Sequence, residues 1–347
     1  MKADTRHPSP RSEVGMKKII NDPAAVVADS LRGLAAAHAD LVRVEYDPNI
    51  VVRADSPARG VAVISGGGSG HEPLHTGFVG PGMLHAAVPG AVFTSPTPDA
   101  VQAAITATTG DAGALLVVKN YTGDVLNFET AAELASAEGL DVRTVVIDDD
   151  VAVVDSTATA GRRGVGGTVL LEKIVGAAAE RGDDLDAVES VARTVVERVR
   201  SIGVALTAPT VPHVGEPSFD LGDDEIEFGI GIHGEPGRER LPVESAQALV
   251  ERMVSAIVED FPLNGGEDVL LFTNSMGGSP LLEVYLAHGI AERLLADRGI
   301  NVVRRLVGPY ITSLEMQGIS MTILRMDDQL TELWDAPVRT PALRWGM

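Results

Sequence analysis

A chain of 347 residues, 45% hydrophobic and 22% charged, is long enough for two domains of ordinary size and apolar enough to bury a core in each. Its 49 acidic and 28 basic side chains leave a formal net charge of −21, a surface that repels phosphate backbones and anionic lipid heads, so neither nucleic-acid nor membrane-surface binding is expected. The lack of cysteine excludes disulfides, thiolate nucleophiles and cysteine-ligated zinc, and no apolar run approaches the roughly 20 residues of a membrane span, so a soluble cytoplasmic protein is expected.

Residues 1–14 are polar, lack periodicity and read as a loose leader. Asp22 is placed to cap a helix with Pro23 at its first position and Val26, Val27, Leu31 and Leu34 along it. Strands are predicted at residues 60–65, 114–119 and 143–147, with helical stretches at 99–106 and 127–137 between the later ones. That alternation predicts a mainly parallel, doubly wound sheet. Helical patterns follow at 169–181 and 185–200, and a domain boundary is placed near Arg200. Beyond it come a strand at 226–232, with Ile226, Phe228, Ile230 and Ile232 on one face, and a strand at 268–273. A glycine-rich loop at 274–279, a helix at 281–297 and strands at 301–307 and 320–326 complete the pattern. The expected fold is α/β: two α/β domains, residues 16–200 and 201–347, each a mainly parallel or mixed sheet flanked by helices, after an N-terminal extension of residues 1–15.

Several segments carry chemistry. Gly66-Gly67-Gly68-Ser69-Gly70-His71 follows a strand, and its backbone N–H groups can converge on a polar or anionic ligand. It lacks the Lys-Ser/Thr step of a phosphate-binding loop and the spacing of a dinucleotide fingerprint. His71-Glu72-Pro73-Leu74-His75 matches H-E-x-x-H formally, but Pro73 and the glycines deny it the regular helix that a zinc site requires. Lys119 interrupts an apolar strand and is one of only five lysines. With Asp124 it reads either as a cation and a carboxylate base at a strand's carboxyl end, or as an ion pair and a helix cap. Asp148-Asp149-Asp150 reads as a solvated turn or cap, because consecutive strand-end carboxylates point in alternating directions. His233 stands between Gly231 and Gly234, on the face opposite the strand's apolar residues. Its imidazole is either a nucleophile, since a reference pKa of about 6.5 leaves it mostly neutral at pH 7, or a structural group at a strand end. The loop at 274–280 reads as a packing or partner-contact element.

Together these segments resemble the K subunit of dihydroxyacetone kinase. The resemblance is carried by residues 65–73 (SGGGSGHEP), 93–99 (FTSPTPD), 119–124 (KNYTGD), 127–130 (NFET), 161–164 (GRRG), 231–237 (GIHGEPG), 334–337 (WDAP) and 340–343 (TPAL), in order from about Met16 to the end. It implies that His233 forms a covalent hemiaminal with the ketone carbon of dihydroxyacetone. It implies that His71 is the second active-site histidine and Asp124 the catalytic carboxylate. Gly67, Gly68, Ser69 and Lys119 are implied to contact substrate, and no metal is implied on this chain. Only a carbonyl compound can form the adduct, so glycerol would be rejected by chemistry rather than by pocket shape.

Single-chain members of that family carry a further nucleotide-binding helical domain, and none is expected in this sequence. The resemblance therefore implies a separate L subunit that holds ATP or ADP with magnesium, fed directly by ATP or through a phosphotransferase-system protein, and a homodimer of this chain. Loops 94–99 and 161–167 are expected at the docking surface, with Arg162 and Arg163 either facing a partner or the phosphoryl group or merely solvated. Rival readings are a kinase subunit for a four-carbon ketose such as erythrulose and a non-catalytic ketose sensor.

Overall fold

The computed structural model describes residues 17–153 and 160–347; the predicted leader, residues 1–14, and the extension, residues 1–15, lie outside the described residues. In chain order the elements are α1 (Val26–Ala37), β1 (Val42–Glu45), β2 (Ile50–Arg53), β3 (Ala62–Ser69), β4 (Ala86–Val92), α2 (Pro98–Thr108), β5 (Ala114–Lys119), α3 (Thr122–Ala137) and β6 (Val142–Ile147). Next come α4 (Gly167–Arg181), α5 (Leu185–Arg198), β7 (Val199–Ala205), β8 (Glu225–Phe228), β9 (Glu239–Pro242), α6 (Ala246–Asp260), β10 (Asp268–Ser275), α7 (Leu281–Asp297), β11 (Asn301–Gly308), β12 (Gly318–Arg325) and α8 (Asp328–Asp335). A short hairpin of β13 (Val338–Arg339) and β14 (Arg344–Trp345) ends the chain.

Two six-stranded sheets form, ordered β1-β2-β4-β3-β5-β6 and β11-β10-β12-β7-β8-β9. In the first, β4, β3, β5 and β6 run parallel, and β2 joins β4 antiparallel. In the second, only β10 and β11 are parallel. The α/β class thus holds with both sheets mixed. Three apolar clusters define five layers. Helices α2 and α3 cover the outer face of the first sheet, and α6 and α7 cover the outer face of the second. Between the sheets lie α4, α5 and α8, in one core that draws on Val63 and Val117 from one sheet and Leu270 and Phe272 from the other. Burial from both sides explains why β5 reads ALLVVK and why α4 is buried almost all round. No helix among the described residues is long and apolar enough to cross a membrane.

The structure corrects several expected boundaries. Asp22 caps the turn before α1, through Ala24 N, and the helix starts at Val26. The first strand does not stop at Ser65: the glycines continue it to Ser69, because β4 stays paired beside them. No α-helix follows the glycines, only a single 3-10 turn over Thr76–Phe78. The helix predicted to Arg200 ends at Arg198, where β7 begins with no intervening breaker. The strand predicted over 226–232 ends at Phe228, because Gly229 has φ +84° and turns the chain. Ile226 and Phe228 consequently join one core, and Ile230 and Ile232 the other. His233 therefore sits in a turn, not on an alternating strand face.

Candidate active site

Three chain segments from the first sheet and two from the second half converge on one seam. Gly67 and Gly68 supply the floor as the carboxyl end of β3. An added Cβ would lie 2.2 Å from Lys119 Nζ at Gly67 and 2.6 Å from Thr94 N at Gly68. Glycine is thus required so that a lysine side chain and the Phe93–Thr94 turn can lie directly on the strand. Phe93 holds φ +55°, which is costly for an aromatic residue, and its ring stacks on His71 with centroids 5.0 Å apart. Ser69 donates its hydroxyl to Gly90 O at 2.7 Å, so its side chain ties β3 to β4.

His71 and His233 meet edge to face with centroids 4.7 Å apart, and Tyr121 packs edge-on against His233 at 4.5 Å. His71 Nδ1 lies 2.7 Å from Thr312 O, which can only accept. The proton therefore sits on Nδ1, and Nε2, buried and without a partner, is an acceptor. Burial, aided by the charges of His233 and Lys119, holds His71 well below the usual histidine range, so it stays neutral. His233, 19% exposed, has its Nδ1 2.7 Å from Glu235 Oε1. Burial alone would raise the Glu235 carboxyl, but the His233 charge, their hydrogen bond and Arg163 outweigh it and bring it down to about 2. An ionised Glu235 fixes the Nδ1–H of His233 and leaves the lone pair on Nε2. A neutral imidazole held this way can act as a nucleophile.

Lys119, fully buried, places Nζ 3.6 Å from Asp124 Oδ2 and 3.3 Å from Gly66 O. Asp124, on the first turn of α3, keeps Oδ1 buried and unpartnered. The Tyr121 hydroxyl is also buried and unpartnered, and burial first, then Glu235, pushes it well above its ordinary value. The site thus presents two acceptors, His71 Nε2 and Asp124 Oδ1, and one donor, Tyr121 Oη, in need of polar partners. A small polyhydroxylated molecule beside His233 would supply them.

Other expectations are corrected. Asp149 and Asp150 are not solvated. Asp149 accepts from Val165 N, Gly167 N and Ser201, tying the entry of α4 to β7. Asp150 pairs with Arg163, which is fully buried and donates to Gly229 O at 2.7 Å. Arg163 therefore braces the His233 turn from below and faces no partner, while Arg162 is held by Asp260. Asn274 fastens the chain at Tyr310 and Ile311, which presents Thr312 to His71. Sequence reasoning missed Glu235, Tyr121 and Phe93 as site groups. The acid two residues after His233 was the one local signal available for any of them.

The Dak1 domain family matches residues 32–342. The dihydroxyacetone-binding subunit DhaK of the PEP-dependent dihydroxyacetone kinase of Escherichia coli K12 is 49% identical, over 95% of this chain and 100% of its own. The dihydroxyacetone kinase of C. freundii, solved with AMP-PNP and Mg2+, superposes with a TM-score of 0.86 at 37% identity, over 95% of this chain and 61% of that one. A dihydroxyacetone kinase operon co-activator superposes with a TM-score of 0.85 at 34% identity, over 90% of this chain and 96% of its own. With most of its length matched by the domain and half its residues shared with a full-length relative, the chain belongs to the Dak1 family.

Proposed function

We propose that this chain is the ketose-binding subunit of a dihydroxyacetone kinase, a phosphotransferase, and that it holds dihydroxyacetone covalently on His233. The observation that carries the reading is the His233–Glu235 pair, a partly exposed imidazole hydrogen-bonded at Nδ1 to an ionised carboxylate, in a site with unpartnered polar atoms on His71, Tyr121 and Asp124. Nε2 attacks the ketone carbon, the carbonyl π bond opens, its oxygen takes a proton from solvent and the Nδ1 proton returns to solvent by way of Glu235, which stays ionised. The adduct fixes the terminal hydroxyl in place. Asp124 Oδ1 accepts that hydroxyl's proton as its oxygen attacks the transferring phosphorus, His71 Nε2 accepts from a second hydroxyl, and Tyr121 donates to a substrate oxygen. Gly67, Gly68 and Lys119 shape the floor. Ser69 contributes backbone, since its hydroxyl is committed to Gly90.

The nucleotide and magnesium belong on a separate L subunit, and the similarity to the dihydroxyacetone-binding subunit of a PTS-dependent dihydroxyacetone kinase of Listeria innocua favours phosphoryl supply through a phosphotransferase system. We place the protein in the cytoplasm as a homodimer and keep the division near residue 200, which separates the two sheets although α4 and α5 pack on both. The co-activator likeness supports a second reading, a ketose sensor. The buried free oxygen of Asp124 favours catalysis, since a sensor needs the histidine but not a base. The test is phosphorylation of dihydroxyacetone with and without an L subunit. Activity that requires the L subunit supports the kinase reading. Adduct formation without turnover under any donor would establish the sensor, and turnover by this chain alone would refute the separate L subunit.

A further inference from the structure

Behind Lys119 lies a second row of buried polar side chains that the proposed reaction leaves unused. His75 Nε2 is 2.9 Å from Lys119 Nζ, and His75 Nδ1 is 2.5 Å from Glu172 Oε1 and 3.0 Å from Ser65 Oγ. All four side chains are buried. The hydrogen-bonding roles are forced. An ammonium has only protons to give, so Nε2 accepts and the His75 proton sits on Nδ1. The Ser65 hydroxyl gives its own proton to Val117 O at 2.8 Å, so towards His75 it too is an acceptor. The row therefore reads Lys119 to His75 to Glu172, a cation joined to a carboxyl group through one oriented imidazole.

The spacing shows what the row does. Nζ sits closer to His75, at 2.9 Å, than to Asp124, at 3.6 Å. An ammonium with nothing behind it would close on Asp124 Oδ2 and draw charge away from Oδ1, the oxygen that must take the substrate proton. We propose that Glu172 and His75 are positioning residues that draw Lys119 back from Asp124, so that the lysine steadies the carboxylate without quenching it as a base. This rests on the kinase reading above. Burial pushes Glu172 up to about 8 and His75 well down, so the imidazole stays neutral while Glu172 changes charge within the working range of an assay. The charged and titratable groups that face Glu172 are Lys119, from β5, and His75, from the loop after β3. Its neighbour Lys173 turns away to Leu333 O, and Asp149 caps the start of the same helix.

The test pairs a variant with a measurement on the unaltered protein. In Glu172→Gln, assayed with the L subunit above pH 8, where Glu172 carries its charge, kcat should fall about tenfold or more while KM for the ketose stays within about threefold. The inflection near pH 8 in the wild-type kcat profile should vanish in the variant. Intact mass should still show the ketose adduct. A folded variant with wild-type kcat and pH profile overturns the proposal. Should the variant not fold, 15N NMR of histidine-labelled wild-type chain decides. A neutral His75 protonated on Nδ1 supports the row as drawn, and a proton on Nε2 overturns it. Because the NMR result needs no turnover, a failure of the kinase reading itself is seen separately, as absence of adduct and product in the wild type.

Discussion

Each sheet carries one strand that runs into glycines, Ser65 to Gly70 on β3 and Asn274 to Gly278 on β10, and the two look alike as sequence. Their glycines make room for different things. At Gly67 the space is filled by the tip of Lys119, a group of the proposed site. At Gly277 and Gly278 it is filled by the carbonyls of Leu314 and Glu315, where an added Cβ would lie within 2.4 Å of backbone. The second run lets the 310–315 segment lie against β10, and that segment hands Thr312 O to His71. One glycine run thus holds the site and the other holds what supports it. Glycine content alone cannot distinguish them; the difference lies in whether a polar side chain from a neighbouring strand end fills the space.

The sharpest way to break this contrast is to remove the group that the first run serves. His233→Ala should abolish the ketose adduct and cut turnover on the order of 10⁴-fold or more, since the covalent bond supplies the orientation of the attacking hydroxyl. Intact-mass spectrometry and a coupled assay with the L subunit read both effects. Asp124→Asn comes next: the adduct should persist while kcat drops by about 10²- to 10⁴-fold, and a parallel loss of binding would make Asp124 a substrate holder instead of a base.

The glycines themselves should then separate. Gly67→Ala displaces Lys119 and should cost about 10- to 100-fold in turnover with little change in unfolding midpoint. Gly277→Ala, at φ +121° and against Leu314 O, should cost about 2 kcal/mol or more of stability in urea unfolding. Equal activity and stability losses in both variants would erase the distinction. The smallest effect concerns Glu235. Its carboxyl is depressed in the folded chain to about 2 from an ordinary 4.5, so its contribution is complete above that ordinary value and fades as pH falls through the folded one. The stability gap between wild type and Glu235→Gln should narrow by on the order of 2 kcal/mol from about pH 6 to pH 2.

What could be read from sequence follows from physics. β5, α4 and α7 are long, apolar and bounded, and their positions were legible to within a few residues. The four-residue strands β1, β2 and β9 were not, because strands that short form through pairing with neighbours rather than through pattern. The first two residues of β7 were absorbed into the preceding helix because Arg198 and Val199 are adjacent with no glycine or proline between them. The alternation from Ile226 to Ile232 was real, yet Gly229 splits it between two cores. At the site, His71, Lys119, Asp124 and His233 announced themselves through the glycines and charges around them. The link from His75 to Glu172 spans 97 residues and is invisible without the packing of α4 on β3. Arg163 looked like a surface cation for the same reason, because only the fold brings Asp150 and Gly229 to it.

The central claim is that His233 Nε2 bonds to the ketone carbon. The most direct measurement is 13C NMR of the wild-type chain mixed with dihydroxyacetone labelled at its carbonyl carbon, compared with His233→Ala. A bound signal in the region of a tetrahedral carbon bearing oxygen and nitrogen, coupled to an imidazole nitrogen and absent in the variant, is the expected result. A bound ketose whose carbon keeps its carbonyl shift, or an adduct that persists without His233, would contradict it.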